Sequence, residues 1–294
     1  MRKKGKTGQI VLNMIFIAIA IAYIAPLMLV ISASFTEEKV LAMSGFSLLP
    51  RAFSLEAYEA VFRNPAQLLW SYGTTIVYSV IGTGLSVLVM ALMAYPLARS
   101  NFKLRKIINF YVLFTMLFNG GLVPSYLIYT RYLHLDDTIW IYILPGVVTA
   151  YNLFVMKAGY MSIPTELIEA GKVDGASEFY ICFRIMMPLA KATMATVAFL
   201  ILVSKWNEWY TASIYIENPK LYSLQYLLQK ILNEAQFLKQ LSNEAGIVAN
   251  VQDAVPLENL KYAMAVVAAG PMLVAFPFFQ KYFVKGMTIG AVKG

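Results

Sequence analysis

The sequence predicts an all-α, polytopic membrane helical bundle with six transmembrane helices, on three observations. Hydrophobic residues make up 59% of the 294 and charged residues 14%, against about 45–50% and about 25% in a soluble domain. Several apolar stretches reach the roughly 20 residues needed to cross a hydrocarbon core about 30 Å thick. Basic residues collect at alternate ends of these stretches, as the positive-inside rule expects of a multi-pass protein. The mean hydropathy of +0.63 agrees.

The elements follow in order. Arg2, Lys3, Lys4 and Lys6 precede an apolar run over 10–34. That run is too long for a signal-peptide core and is read as a first transmembrane helix with its basic end in the cytoplasm. Residues 35–69 are mixed and polar, and Pro50 and Pro65 break any long helix there. A second span covers about 71–98, followed by the basic cluster Arg99, Lys103, Arg105 and Lys106. The third span runs over about 107–130. A short link with Asp136 and Asp137 leads to a fourth span over about 139–161. Pro164, Thr165 and Glu166 suit a helix start, so a polar amphipathic segment is expected from there, ended by Pro188. The fifth span is about 189–216. A polar stretch over 217–261 carries Leu224, Leu227, Leu228, Ile231 and Ala235 at helical spacing. The sixth span is about 262–284. The whole chain reads as one transmembrane domain with its core over about 71–284.

With both termini inside, most of the 24 Lys and Arg residues face the cytoplasm, whereas of the 16 acids only Glu166, Glu169, Asp174 and Glu178 do. Topology therefore accounts for the net charge of +8, and no nucleic-acid partner is needed. Cys182 is the single cysteine and His134 the single histidine. One of each excludes a disulfide framework and a multi-residue Cys or His metal cage. Cys182 reads as a small helix-packing residue and His134 as a loop residue. There is no phosphate-binding G-x-x-x-x-G-K-[ST] loop, no His-Glu-x-x-His and no G-x-S-x-G. No catalytic residue and no metal site is assigned.

The most informative segment is Glu169-Ala170-Gly171-Lys172-Val173-Asp174-Gly175-Ala176, with Ile185-Met186-Met187-Pro188 beyond it. Glu169, Lys172 and Val173 share a helix face. Gly171 and Gly175 leave a strip without side chains, at about 1 kcal/mol each relative to alanine. A break between two short helices docked on a partner explains that cost. The alternative, a helix lying on the bilayer, expects a basic polar face, whereas four acids accompany two bases between Glu166 and Arg184.

These residues resemble the EAA loop of ABC importer membrane subunits: Glu-Ala, then Asp-Gly-Ala, then the aromatics Phe179 and Phe183, then Ile-x-x-Pro. Gly171 replaces the usual second alanine and Met187 the usual leucine. The tail Lys285-Gly286-Met287-Thr288-Ile289-Gly290-Ala291-Val292-Lys293-Gly294 is similar to that of maltose-type carbohydrate permeases, where it reaches the ATPase interface. Asn119-Gly120-Gly121-Leu122-Val123-Pro124 resembles the branch that handles oligosaccharides and polysaccharide fragments. The resemblance implies a bacterial inner-membrane permease subunit, multi-pass, importing carbohydrate. It implies a second homologous permease subunit, two ATPase subunits that carry the ATP and Mg, and an extracytoplasmic solute-binding protein facing 217–261. No cofactor is expected on this chain itself. The stretch 165–188 would be the cytoplasmic coupling helix between the fourth and fifth spans, with Glu169, Ala170, Gly171, Asp174, Gly175 and Ala176 meeting the ATPase.

Two further groups bear on the sugar. Gly-Gly and Pro near Asn119 weaken the third span and free backbone groups, which lipid tolerates only against protein or a wet cavity; a kink at the outer end of the span is the alternative. Trp206, Asn207, Glu208, Trp209 and Tyr210 place aromatics at i, i+3 and i+4, an apparent continuous face for stacking on sugar rings, with Asn207 and Glu208 to bond hydroxyls. The alternative is an interfacial aromatic belt with Lys205 snorkelling. Tyr151 and Asn152 join the pathway candidates by resemblance. An ion-coupled secondary transporter remains the rival function, and it would need carboxylates within the spans, where only Glu208 lies clearly.

Overall fold

Every regular element is helical in the computed structural model, which describes residues 6–244 and 257–291. Among these residues the only β-type pairing is an isolated bridge between Thr36 and Phe53. Among the described residues three helices are long and apolar enough to cross a membrane: residues Gly8–Ser34 within α1 (Lys6–Ser34), α4 (Pro65–Ala98), and Glu258–Lys281 within α15 (Leu257–Ala291). Two bent pairs bring the number to five if each is one span. The chain divides into two compact units, residues 1–65 with 228–271, and residues 66–227 with 272–294.

In the first unit α1 is exposed along most of its length, as a lipid-facing helix would be. Its last residues turn inward: Thr36 Oγ1 donates to Ser32 O at 2.7 Å, and Ser34 Oγ meets Tyr58 Oη at 2.9 Å. The stretch 35–69 is more ordered than its composition suggests. It forms α2 (Glu38–Ser44) and α3 (Glu56–Val61), with Phe35 stacked on Phe53 and Tyr58. The Glu38 carboxylate accepts from the backbone N–H groups of Glu258 and Asn259 at 3.1 and 3.2 Å. A carboxylate there satisfies free donors at the start of α15 and complements its dipole.

The second unit holds α4, where Pro65 supplies a helix-initiating ring and the buried face is lined by small residues and hydroxyls. The predicted third span is bent by 112° between α5 (Arg105–Leu117) and α6 (Leu122–Leu127), which continues as a π-helical turn to Tyr132. Gly121 sits at the break with φ +86°, a conformation that favours glycine.

The predicted fourth span is not one helix. It is α7 (Trp140–Ile143), an irregular stretch over 144–149, and α8 (Ala150–Met161). Pro145 has no N–H to give and Gly146 follows it, so the turn cannot be carried through. The polar segment forms α9 (Thr165–Val173), with Pro164 one place before the helix rather than inside it. A turn leads to α10 (Glu178–Tyr180), a π-helical stretch Ile181–Met186 and α11 (Met187–Leu189), which contains Pro188. This arm bends by 79° into α12 (Lys191–Trp206) at Ala190. The fifth span then breaks again before α13 (Tyr210–Tyr215). The amphipathic run over Leu224 to Ala235 is helical in α14 (Leu224–Glu244). Residues 292–294 of the tail lie outside the described residues, as do Arg2, Lys3 and Lys4. The link before α7 has His134 and Asp137 at positive φ, and Asp137 Oδ1 accepts from the N–H groups of Glu217 and Asn218.

The core of this unit packs Met90, Ala94 and Leu97 of α4 against Leu153, Met156 and Tyr160 of α8, with Ile168, Ile181, Cys182 and Met186. Close approach of α8 to α12 rests on Gly159: a Cβ there would lie 2.5 Å from Thr193 Oγ1. Gly84 has open space around its Cβ direction. Gly159→Ala is therefore expected to cost about 1–3 kcal/mol by overpacking, whereas Gly84→Ala should be neutral or stabilise by up to about 1 kcal/mol. Thermal unfolding of the two purified variants in detergent checks the contrast; equal midpoints would refute it.

Candidate functional site

The first candidate site is the polar segment after α8. Gly175 has φ +79° and open space beside it, and it carries the turn after α9. Ser177 restarts the helix by accepting the N–H of Tyr180 on its Oγ at 3.2 Å. Ile168 and Gly171 face inward, while Glu169, Ala170, Lys172, Val173 and Asp174 are exposed and Ala176 is half-buried. Gly171, expected to meet a partner, makes a close internal contact: a Cβ there would lie 3.1 Å from Ile185 Cδ1. Glycine at this position lets α9 lie on its own following arm.

Glu178, at the start of that arm, gathers three partners that the sequence reading did not single out. Lys172 Nζ is 2.6 Å from its Oε1 across the turn. Tyr95 Oη donates to its Oε2, and Arg99 Nη1 lies 3.5 Å from the same oxygen. Arg99 also donates to Tyr95 Oη at 2.9 Å. The hydrogen bond from Lys172, then that from Tyr95, hold the Glu178 carboxyl below its usual range. This tie is complete at neutral pH; it starts to weaken as pH falls through the ordinary carboxylate value and is gone below the lowered one. Beside it lies a cavity of about 500 Å³ lined by Tyr95, Arg99, Phe102, Glu178 and Phe179, among others. No sequence pattern announces the Tyr95 and Arg99 pairings, because these residues lie 83 and 79 positions from Glu178.

The second candidate site is the pair of breaks in the predicted fourth and fifth spans. The continuous aromatic face expected at 206–210 is not formed. Asn207 Nδ2 donates to Val203 O at 2.9 Å and ends α12, and Glu208 Oε1 accepts from Thr211 N at 2.8 Å and starts α13. Short polar side chains that bond their own backbone interrupt the helix. Trp206 is thereby buried at 4% exposure, while Trp209 stays open at 48% beside Tyr210. Asn119 accepts from Gly121 N at the break in the third span, Tyr151 is exposed, and the Asn152 Oδ1 is enclosed without a partner. Among the described residues no hydrogen bond joins these three to the 206–210 turn.

Lys205 does not snorkel. It is buried, and its Nζ donates to Tyr142 O at 2.8 Å, in the last turn of α7. Its stem crosses Gly82, where a Cβ would lie 2.6 Å from Lys205 Cε. Tyr78 Oη donates to Lys205 O at 3.0 Å, and the Tyr78 and Tyr142 rings stack at 4.4 Å. One side chain from the end of α12 thus supplies a donor to a carbonyl beside the fourth-span break.

The family described as "Binding-protein-dependent transport system inner membrane component" matches residues 88–289. The chain belongs to this family. It is also 38% identical to Protein LplC of Bacillus subtilis (strain 168) over 98% of this chain and 97% of that one. It is 35% identical to the polygalacturonan/rhamnogalacturonan transport system permease protein YtcP of the same organism, over 94% of each chain. Among solved structures it is similar to a bacterial ABC transporter involved in the import of the acidic polysaccharide alginate, with a TM-score of 0.74, 26% identity, and cover of 96% of this chain and 99% of that chain. As a member of this inner-membrane transport family, the chain is a transporter subunit and not an enzyme.

Lys205→Met is expected to lower stability by about 1–3 kcal/mol, because it leaves the Tyr142 carbonyl buried without its donor. Gly82→Val should do similar damage by displacing the lysine stem. If the ammonium bond is the shared cause, the double variant unfolds at nearly the same temperature as the worse single one; additive losses would point to two separate effects.

Proposed function

We propose that this permease forms half of the pathway of an ATP-driven importer of an oligosaccharide or polysaccharide fragment. Similarity to a polygalacturonan/rhamnogalacturonan permease and to an alginate importer supports that substrate class. The observation that carries the reading is the segment from Thr165 to Leu189: a short helix, a glycine turn and a helical arm, with Glu169, Val173 and Phe179 exposed. We read it as the coupling helix, with Glu169 entering a groove of the ATPase and the Gly175 turn setting the angle between the two arms.

In this reading six spans cross the membrane, the fourth as the broken pair α7 and α8, and both termini are cytoplasmic. A second permease subunit completes the pathway, two ATPase subunits bind ATP and Mg, and an extracytoplasmic binding protein docks on the stretch that includes α14. The pathway candidates are Asn119, Tyr151, Asn152 and the turn Trp206 to Tyr210, where Trp209 and Tyr210 offer faces to sugar rings. The ion-coupled alternative is not favoured: Glu208 already caps α13.

The test is co-purification. The unaltered chain is expected to bring down its ATPase and second permease subunit, with hydrolysis stimulated by the loaded binding protein. Glu169→Ala should lose at least about tenfold of that stimulation while inserting in the membrane normally. Absence of any ATPase in the purified complex, or full stimulation in the variant, counts against the reading.

A further inference from the structure

Lys172 and Glu178 lie within the segment that carries the family resemblance without being among its motif residues, and they mark the place where the polar segment is fastened to another span. The Glu178 carboxylate takes Lys172 from α9 on one oxygen. On the other it takes Tyr95 and Arg99 from the end of α4. Three separate pieces of chain therefore meet at one acidic group: the helix before the Gly175 turn, the arm after it, and a long span. Arg99 has 16% of its side chain exposed, and its guanidinium lies over the Tyr95 ring at 5.6 Å. Neither residue is a loose surface group. The Lys172 contact at 2.6 Å and the Tyr95 bond are short, as charge-assisted hydrogen bonds are, while Arg99 stands off at 3.5 Å.

We propose that Glu178 is a positioning residue through which displacement of the coupling segment is passed to α4. The proposal rests on the coupling reading above and adds to it a route: from α9, through the carboxylate, to Tyr95 and Arg99, and along a helix of 34 residues to its outer end. Without the carboxylate the two arms still pack through Ile168, Ile181 and Cys182, but the polar link to Arg99 and Tyr95 is gone, and the segment moves without carrying α4 at full amplitude.

The experiment uses the assembled complex in nanodiscs, with Cys182→Ala to remove the native thiol and Leu69→Cys to report on the outer end of α4. The rate of labelling by a membrane-impermeant maleimide is compared without nucleotide and after trapping with ATP, Mg and vanadate. In the unaltered background trapping is expected to change the rate at least about threefold. Glu178→Gln should reduce that change to under about 1.5-fold, and Tyr95→Phe, which removes only a hydroxyl, should reduce it partway. The ATPase is expected to co-purify in equal amount throughout. A purely structural role would alter yield or melting temperature but not the nucleotide dependence. A full nucleotide response in both variants overturns the role of Glu178 and leaves the coupling reading standing. No response in the unaltered complex overturns the route along α4, whereas loss of the ATPase from the purified complex sinks the coupling reading itself and this one with it. Should Glu178→Gln fail to assemble, Tyr95→Phe decides: an undiminished response there overturns the proposal.

Discussion

The bond from Lys205 Nζ to Tyr142 O is the interaction on which the rest of the second unit depends. Lipid offers no hydrogen-bonding partner, so a helix that stops inside the membrane must find one in protein. Three predicted spans are interrupted in this chain, the predicted third at residues 118–121. The fourth loses its ladder at Pro145 and Gly146, and the fifth at Asn207. A lysine at the end of α12 reaches the last turn of α7 and gives one carbonyl beside the fourth-span break a donor. Glycine at 82 is the condition for this, since the lysine stem occupies the space where a side chain would stand.

The same logic runs along α4. Near its start, Gln67 donates to Pro219 O, Thr74 to Lys220 O, and Thr75 accepts from Leu224 N. Hydroxyls and an amide on one helix face thus satisfy the irregular backbone over 219–224. In its middle stand Tyr78 and Gly82, and at its end Tyr95, followed just beyond by Arg99. The two polar networks centred on Tyr78 and Tyr95 are 17 residues apart, about 25 Å along a helix. Between them Met90, Ala91 and Ala94 pack without exposure into the apolar core. A rigid helix with a polar fastening near each end is a different object from the lipid-facing α1, though both score as apolar spans.

Much of this was legible in the sequence. Hydropathy located α1, α4 and α15, because long apolar runs have one solution in lipid. The Glu169 to Gly175 segment was legible because glycine, proline and charge between apolar spans leave few alternatives to a helix, turn and helix. The breaks at 119–121 and 144–149 differ in how visible they were. Gly120-Gly121 announced the first, whereas Leu144-Pro145-Gly146 was absorbed into a span by its apolar neighbours. The 206–210 turn was misread because a helical spacing was assumed where Asn207 and Glu208 cap their own backbone. Lys205 and Glu178 were beyond reach for another reason. Their partners lie 63 and 83 residues away, and no local pattern encodes a pairing made only by the folded chain.

The 79° bend at Ala190 gives the arm from Glu178 to Leu189 the mechanics of a bell crank. Twelve residues at helical rise make an arm about 18 Å long. A rotation of about 10° around the bend sweeps its tip by about 3 Å, on the scale of one hydrogen-bond length. Small angular motion at the pivot is therefore amplified at the tip into a step comparable to making or breaking a polar contact. The corner residue belongs to both helices: Ala190 N donates to Met186 O on one side and Ala190 O accepts from Met194 N on the other, so each arm keeps its helical bonding up to the bend.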